Sequence, residues 1–548
     1  MESLDIQASR DRILRDLLHL SEADLICEHR RFIPRRSLCD SLTRVRISTH
    51  LKYLEPLSSD NLAISIAPEA CPCKKDICTG KRLIFASLLR IGRENCIKDA
   101  IDAGLCDSSP ECLFDLTDDE KGRELLKNTQ WQLRSHYLSP TTYIGNSTRK
   151  SAAEYTLLDR ELAIPLIHKR SQTNTRTPSS ALTDEAEWIE TTVEHEITNI
   201  RIHADHHDLD DNTGSDVFIM KTFKRSEASK KRFIDEVKAH RQAPQHDRIV
   251  PLLLAFEYRD EFHLIFPLAT MEDLQALWVK NEIRPDTMSI FWILEQCKGI
   301  AQALRAMHEG PVSLLHADIK ASNILCFCYH PDSPPVLKLA DLGFSREFEP
   351  SRTLNIKAAN IPHTQTYRAP EFETEAEVYP EYDVWSLGCT YLEFVTWAIL
   401  GRIGIEEFRE GRLKETDEER ATKRQRQRLE DTFFMKKAIS PSWFDVTGAK
   451  LERIDREITQ DQMKKTETRS KHGFWYSRGP NKVSCHIKPS VKKQFHDLRA
   501  NNDCGTELRL FLNIIETDLI VIDPKERRTS EQTAQYLESL CQRHFNSR

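Results

Sequence analysis

The run His316-Ala317-Asp318-Ile319-Lys320-Ala321-Ser322-Asn323-Ile324-Leu325 sets a carboxylate, an ammonium and a carboxamide on one short loop. Phosphoryl transfer asks for such a set: a carboxylate near the attacking hydroxyl, cations against the phosphates and oxygen ligands for Mg²⁺. Asp318 can orient a hydroxyl and accept its proton, Lys320 can neutralise the transferring phosphate, and Asn323 offers a carbonyl oxygen to a metal. Further along, Leu339-Ala340-Asp341-Leu342-Gly343 places an acid after an apolar strand and before a glycine. Asp341 is therefore expected to be the main metal ligand, since Mg²⁺ favours sparse carboxylate coordination completed by phosphate oxygens and water. Any one triplet of this kind is usually only a turn; the weight lies in the linked set.

The order of the motifs resembles that of the eukaryotic protein kinase superfamily, with its catalytic-loop, DFG-type and APE-type signatures. Ala369-Pro370-Glu371 closes an activation segment that begins at Asp341. Asp383-Val384-Trp385-Ser386-Leu387-Gly388 is similar to the family's buried central helix, whose Asp ties down the catalytic loop. Asp523-Pro524-Lys525-Glu526-Arg527 is similar to the late motif whose Arg pairs with the APE glutamate, here Glu371. Upstream, Val217-Phe218-Ile219-Met220-Lys221 sits where the third-strand lysine belongs, and Glu236 in a helix over Ser226–His240 is its natural partner. The resemblance implies ATP and Mg²⁺ as cofactors, and a protein as substrate. Adenine would lie against Phe266, the hinge Pro267–Ala269, and Leu325. Lys320, two residues after the catalytic Asp, and Thr364, five residues before Ala369, follow the serine/threonine pattern within the family.

Three departures from the family's pattern stand out. The glycines that bring backbone amides onto ATP phosphates fall at Glu190, Thr192 and His195 if Ile197 takes the place of the loop's valine, and no glycine lies between Trp188 and Asn212. Side chains there hinder close backbone approach, and Glu190 would repel phosphate. Ile219 replaces the usual alanine above the adenine ring, and Ala317 replaces the arginine that grips a phosphorylated activation loop. Two readings follow. One is a protein serine/threonine kinase, supported by the presence of Lys221, Glu236, Asp318, Lys320, Asn323 and Asp341; the other is a pseudokinase or scaffold, supported by the missing glycines and Ile219. Inactive chains usually lose a catalytic or metal-binding carboxylate as well, which favours the enzyme.

The elements that must position these residues can be read more coarsely. The fold class is α+β: a two-lobed kinase-like domain over residues 187–548 behind a mainly α-helical N-terminal region. The small lobe spans 187–269 and the large lobe 270–548, with an insertion near 405–437. Residues 1–138 carry helical patterns, with Ser9 as a cap before Ile13, Leu14, Leu17 and Leu18, and an αα-hairpin near 80–104 built on Leu83, Ile84, Leu88, Leu89 and Ile91. Residues 139–186 are polar and turn-rich and read as a linker with an extended piece at Leu162–Ile167.

Over 548 residues the net charge is only −7, so no global basic field draws the chain to nucleic acid. No membrane segment is expected from the apolar runs, and scattered cysteines without a secretory signal point to a cytoplasmic or nuclear protein. Cys71, Cys73, Cys78, Cys96, Cys106 and Cys112 are expected as buried thiols of the helical region, because C-x-C-x4-C departs from the paired C-x2-C zinc knuckle. Cys326 and Cys328 read as core or surface thiols, His203, His206 and His207 as solvent-exposed, and Ser345, Ser351 and Thr353 as loop hydroxyls open to phosphorylation. The basic run Lys423–Arg428 reads as a solvated helix face, with Phe433 and Phe434 anchoring the insertion. The insertion and the helical N-terminal region resemble, more loosely, those of expanded kinase-like families in filamentous fungi.

Overall fold

The computed structural model describes the chain apart from residues 1, 24–30, 72–77, 108–119, 131–134, 140–154, 159–161, 172–194, 210–215, 281–288, 331–332, 350–355, 358–363, 375–376, 416–430, 439–482 and 547–548. Two compact units emerge. One draws on Met1–Ser180, Thr192–Phe233 and Leu252–Leu268, the other on Ile234–Pro251 and Ala269–Arg548.

The first unit opens with helices α1 (Glu2–His19), α2 (Arg35–Ser41), α3 (Arg44–Leu51), α4 (Ser59–Ile66), α5 (Arg82–Ile91), α6 (Ile97–Asp102) and α7 (Glu120–Gln130). Helical spacing puts Ile13 and Leu17 of α1 with Ile47, Leu51, Phe85, Leu88 and Leu89 in one core. The expected αα-hairpin is present as α5 and α6, and α5 stops at Gly92, whose φ of +68° ends the helix in a left-handed turn. Ser9 is no cap. The helix starts seven residues earlier, at Glu2, and the Ser9 hydroxyl lies 2.9 Å from His50 Nδ1. His50 is buried and reaches Glu94 at 3.4 Å, and Arg10 meets the same carboxylate at 2.6 Å. Burial alone would raise the Glu94 carboxyl, yet hydrogen bonds from His50, its own backbone and Arg10 hold it below the ordinary value.

A six-stranded sheet follows in the same unit: β1 (Thr156–Leu157), β2 (Leu166–Ser171), β3 (His195–Ile202), β4 (Val217–Phe223), β5 (Leu254–Tyr258) and β6 (Glu261–Pro267). The spatial order is β1-β5-β6-β4-β3-β2, antiparallel except for β1 beside β5. Two of these strands come from the stretch read as a linker. Leu158, Ile164 and Leu166 bury themselves beside Ile200, Ile202 and Phe218, and these few apolar residues are too thinly spread in a polar stretch to register as a period. The helical region is joined to this sheet through Phe32, which meets the His206 ring edge-on, and through Arg36, whose N–H donates to Asp205 Oδ2 at 2.8 Å. His206 is consequently 5% exposed, not a solvent histidine. Its imidazole is pushed down to about 3, first by burial and then by the positive charges of His203 and Arg35.

Helix α8 (Glu227–Gln242) follows β4, close to the span expected for it. The second unit then holds α9 (Leu274–Val279), α10 (Ile290–Glu309), the ladder of β7 (Leu314–Leu315) with β10 (Arg346–Glu347), and the hairpin of β8 (Ile324–Phe327) with β9 (Val336–Leu339). After these come α11 (Glu371–Thr374), α12 (Glu381–Lys414), the pair β11 (Phe434–Ala438) and β12 (Val483–Ile487), α13 (Pro489–Ala500), α14 (Thr506–Ile514) and α15 (Ser530–Asn546). Asp273 and Ser289 cap α9 and α10, accepting from Ala276 N and Trp292 N. Helix α12 is long and apolar enough to cross a membrane by composition, but 78% of that window is buried, with Trp385, Leu387, Phe394 and Trp397 in the core of this unit. The expected insertion begins as the last turns of α12 beyond its break at Gly401, and Phe433 and Phe434 are buried as its anchors; Lys423–Arg428 lies outside the described residues.

Candidate active site

Residues 316–323 form an irregular loop between β7 and β8, so nothing in its own ladder holds it; side chains from other elements do. Asp383, in the first turn of α12, is fully buried and accepts from the backbone N–H of His316 at 2.7 Å and of Ala317 at 2.9 Å. His308, at the end of α10, lies 3.0 Å from the same carboxylate and 3.0 Å from Ser530 Oγ at the start of α15. His316 braces the loop a second way. Its Nε2 donates to Ala340 O at 3.1 Å, which leaves Nδ1 to accept from the Asp318 N–H at 3.3 Å. Held so, Ala317 takes a φ of +68°, a left-handed conformation that costs an L-residue about 1–2 kcal/mol.

On this frame four expected site residues come together. Lys320 Nζ donates to Thr364 Oγ1 at 2.7 Å, and the Thr364 hydroxyl donates in turn to Asp318 Oδ1 at 2.7 Å. Lys320 also pairs with Asp318 Oδ2 at 2.7 Å. Asn323 Nδ2 donates to Asp318 Oδ2 at 2.8 Å and to Asp318 O at 2.9 Å, so both its amide protons face one residue and its carbonyl oxygen is left for a cation. Asp318 is 5% exposed and Asn323 8% exposed. Asp341 is exposed and left-handed, with φ +63° and ψ +79°, and its Oδ1 accepts from Gly343 N at 3.4 Å. An exposed carboxylate and a freed carboxamide oxygen are the hard donors that Mg²⁺ takes.

Glu236 of α8 is buried, and its Oε2 lies 3.0 Å from where a Cβ on Gly343 would sit. A side chain at Gly343 would press against that carboxylate. Leu325 lies on β8 opposite Lys338, and Ala269 is half-buried just before the turn into α9. In the first unit, Lys221 stands on β4 opposite Leu264 and Ile197, buried, with its Nζ 5.5 Å from the Phe223 ring centre. Phe266 faces Ile219 in the same ladder, and Pro267 ends β6 opposite Phe218. His195 opens β3, while Glu190 and Thr192 fall outside the described residues. Of the loop hydroxyls, Ser345 is buried at 7% exposure and so is closed to modification in this state; Ser351 and Thr353 are outside the described residues.

A further pair fixes the end of the activation segment. Arg527 meets Glu371 with two hydrogen bonds of 2.7 Å, donates to the carbonyls of Val521 and Glu381, and stacks 5.1 Å from the Trp385 ring centre. One cluster carried no motif. Arg412, in the charged stretch of α12, is 1% exposed, pairs with Glu393 at 2.9 Å and Asp431 at 2.7 Å, and lies between the rings of Phe408 and Phe433. Tyr367 closes it by donating to Glu393 Oε2 at 2.7 Å. In sequence, Arg412 is one basic residue among many, and only its burial singles it out.

The sheet, the braced loop and the buried Arg–Glu pair define a protein kinase fold, α+β with an added N-terminal helical region. Residues 209–446 match the family model of the protein kinase domain, so over these residues the chain carries a domain of the eukaryotic protein kinase superfamily. Among curated proteins it is 32% identical over 199 residues to L-type lectin-domain containing receptor kinase IX.2 of Arabidopsis thaliana, covering 36% of this chain and 27% of that protein. It is 28% identical over 166 residues to serine/threonine-protein kinase shk1/pak1 of Schizosaccharomyces pombe, covering 30% of this chain and 23% of the relative. Serine/threonine-protein kinase PAK 1 of Mus musculus matches at 27% over 187 residues, 34% of this chain and 31% of the relative. The chain spans about a quarter of the length of the first curated relatives it matches.

Proposed function

We propose that the chain is a protein serine/threonine kinase that moves the γ-phosphate of ATP to a protein hydroxyl. The observation that carries this reading is the relay Lys320–Thr364–Asp318, in which the threonine hydroxyl sits between the ammonium and the carboxylate. A threonine in that place follows the serine/threonine pattern of the family the chain resembles, and the two relatives named as serine/threonine-protein kinases point the same way. Asp318 aligns the substrate hydroxyl and takes its proton, while Lys320 places positive charge against the phosphate in transfer. Asn323 and Asp341 would hold Mg²⁺, which when bound neutralises phosphate charge. Lys221 and Glu236 are each assigned to ATP binding, the lysine at the phosphates, and Phe266, Pro267, Ala269 and Leu325 to the adenine. Ala317 leaves no arginine to grip a phosphorylated activation loop, so switching through that contact is not part of the reading. The partner is a protein substrate, with no role for nucleic acid or a membrane, and the site of action is the cytoplasm or nucleus.

Transfer of labelled γ-phosphate by the purified full chain, onto itself and a generic basic substrate, tests the reading beside an Asp341→Asn control. Phosphoserine or phosphothreonine that vanishes in the control is the expected result. A second reading, a pseudokinase that recruits partners, is favoured by one feature: the chain between β2 and β3, residues 172–194, has no glycine to let a backbone close on phosphates. Absence of transfer together with absence of a nucleotide-induced thermal shift would establish that second reading.

A further inference from the structure

The stretch from Pro68 to Thr79 runs Pro-Glu-Ala-Cys-Pro-Cys-Lys-Lys-Asp-Ile-Cys-Thr, with Ile77 as its one large apolar residue. The core of the helical region, among the described residues, skips from Ala67 to Leu83 and takes nothing from this stretch. A stretch of this composition offers little hydrocarbon to bury, and around its described ends polar contacts hold the chain. Lys81 N donates to Ile66 O at 2.8 Å, Asp107 N donates to Gly80 O at 2.7 Å, and the Asp107 carboxylate accepts from Leu83 N and Ile84 N at 3.1 Å each. Gly80 makes the turn with a φ of +84°, and a Cβ there would lie 2.7 Å from Ile66 O. The fold thus presses the segment before α5 against the segment after α6.

At this junction the thiols of Cys71, Cys78 and Cys106 converge, with all three sulfur atoms within 4.8 Å of one another. Two come from the segment before α5, and the third from beyond α6, so a bond among them would close a loop across the hairpin. Thiolates around tetrahedral zinc stand 2.3 Å from the ion, which separates the sulfurs by about 3.8 Å. The three sulfurs already lie within about an ångström of that spacing. Cys106 is buried and the other two are half-buried, which limits water at the site. Soft sulfur donors in a tetrahedral arrangement select zinc over Mg²⁺ or Ca²⁺.

We propose that Cys71, Cys78 and Cys106 bind one zinc ion, which staples the segment before α5 to the end of the α5–α6 hairpin. Binding deprotonates the three thiols and releases their protons, with no change of oxidation state. The fourth position is taken by one further donor. The sequence pattern argued against zinc because the spacing lacks paired knuckles; the third ligand instead arrives from beyond α6.

The test uses the untagged full chain, purified without chelator, with metal content measured by mass spectrometry. About one zinc per chain is expected, by the four-coordinate stoichiometry of structural sites. Cys71→Ser, Cys78→Ser and Cys106→Ser should each lower retained zinc roughly 10-fold or more, while Cys96→Ser keeps it. Should the serine variants fail to fold, the wild-type chain loaded with cobalt(II) decides: a near-ultraviolet thiolate-to-cobalt charge-transfer band is expected, removed by one equivalent of zinc. A folded wild-type chain with no zinc and no such band overturns the proposal. So does zinc that the three variants retain undiminished, or a disulfide joining two of the three cysteines in the purified chain.

Discussion

The loop 316–323 and residues 172–194, the chain between β2 and β3, are both assigned to phosphate chemistry, and their sequences meet that demand on opposite terms. In the first, each reactive side chain is tied: Asp318 to Lys320, Thr364 and Asn323, and the backbone beneath it to Asp383 and His316. In the second, residues 172–194 offer hydroxyls and carboxylates but no glycine, where the family places backbone amides. The family match itself begins at residue 209, after both flanking strands. Under the proposed function, the difference separates proton handling from phosphate clamping as two demands met by different parts of the chain. Side chains held by buried carboxylates meet the first, and the second requires bare backbone.

The sharpest way to break that comparison is to remove the carboxylate on which the wired loop converges. Asp318→Asn keeps the size of the side chain but loses the base, and phosphate transfer should fall by roughly 10²–10⁴-fold, with nucleotide binding by thermal shift unchanged. Undiminished transfer would show that the loop's arrangement is only structural. Next in size is the support at the far end of the activation segment. Arg527→Met leaves the Glu371 carboxylate buried and unpaired, because the pair is 0% and 1% exposed at the side chains, and the second unit should lose about 3–5 kcal/mol in denaturant unfolding. A loss under about 1 kcal/mol, the worth of an exposed pair, would count against the burial that braces this region.

What could be read without the structure follows the same division. Asp318, Lys320, Asn323, Thr364, Glu371, Asp383 and Arg527 each announce themselves in short motifs, since the chemistry of a tied loop is local in sequence. Strand β1 was hidden and β2 was caught only at its first two residues, within the extended piece expected at Leu162–Ile167, because their burial rests on isolated apolar residues in a polar run and on partners about a hundred and some thirty residues away respectively. Arg412 and His206 were hidden for a related reason. Burial of a polar side chain depends on what long-range packing brings over it, as Phe408 and Phe433 cover Arg412 and Phe32 meets His206.

His206 gives the first unit its own acid sensitivity. The unfolded chain takes up this proton near pH 6.5, whereas the folded chain takes it up only near pH 3. Between those values the unfolded state binds more protons, so stability is fully present above pH 6.5 and is lost as pH falls, by up to about 1.4 kcal/mol per pH unit. Urea unfolding of the first unit between pH 7.5 and 4.5, a window of roughly three units in the range where a free histidine titrates, should show this slope. His206→Gln should flatten it, and an unchanged slope in the variant would assign the effect to other groups.

The gentlest intervention sharpens the contrast between the two connections most. Replacing residues 172–194 with a short glycine-rich turn should let backbone N–H groups approach phosphate without moving any residue of the loop 316–323. Each charge-assisted hydrogen bond gained is worth about 1.5–3 kcal/mol, so one such bond lowers the KM for ATP by roughly tenfold or more. The turnover number should stay within about twofold, because an interaction made equally in the ground and transition states strengthens binding without speeding the chemical step. If KM is unmoved, phosphate holding already rests on the side chains, with Lys221 and the metal ligands carrying it. If the turnover number rises with affinity, clamping and chemistry are coupled after all, and the separation between the two regions fails.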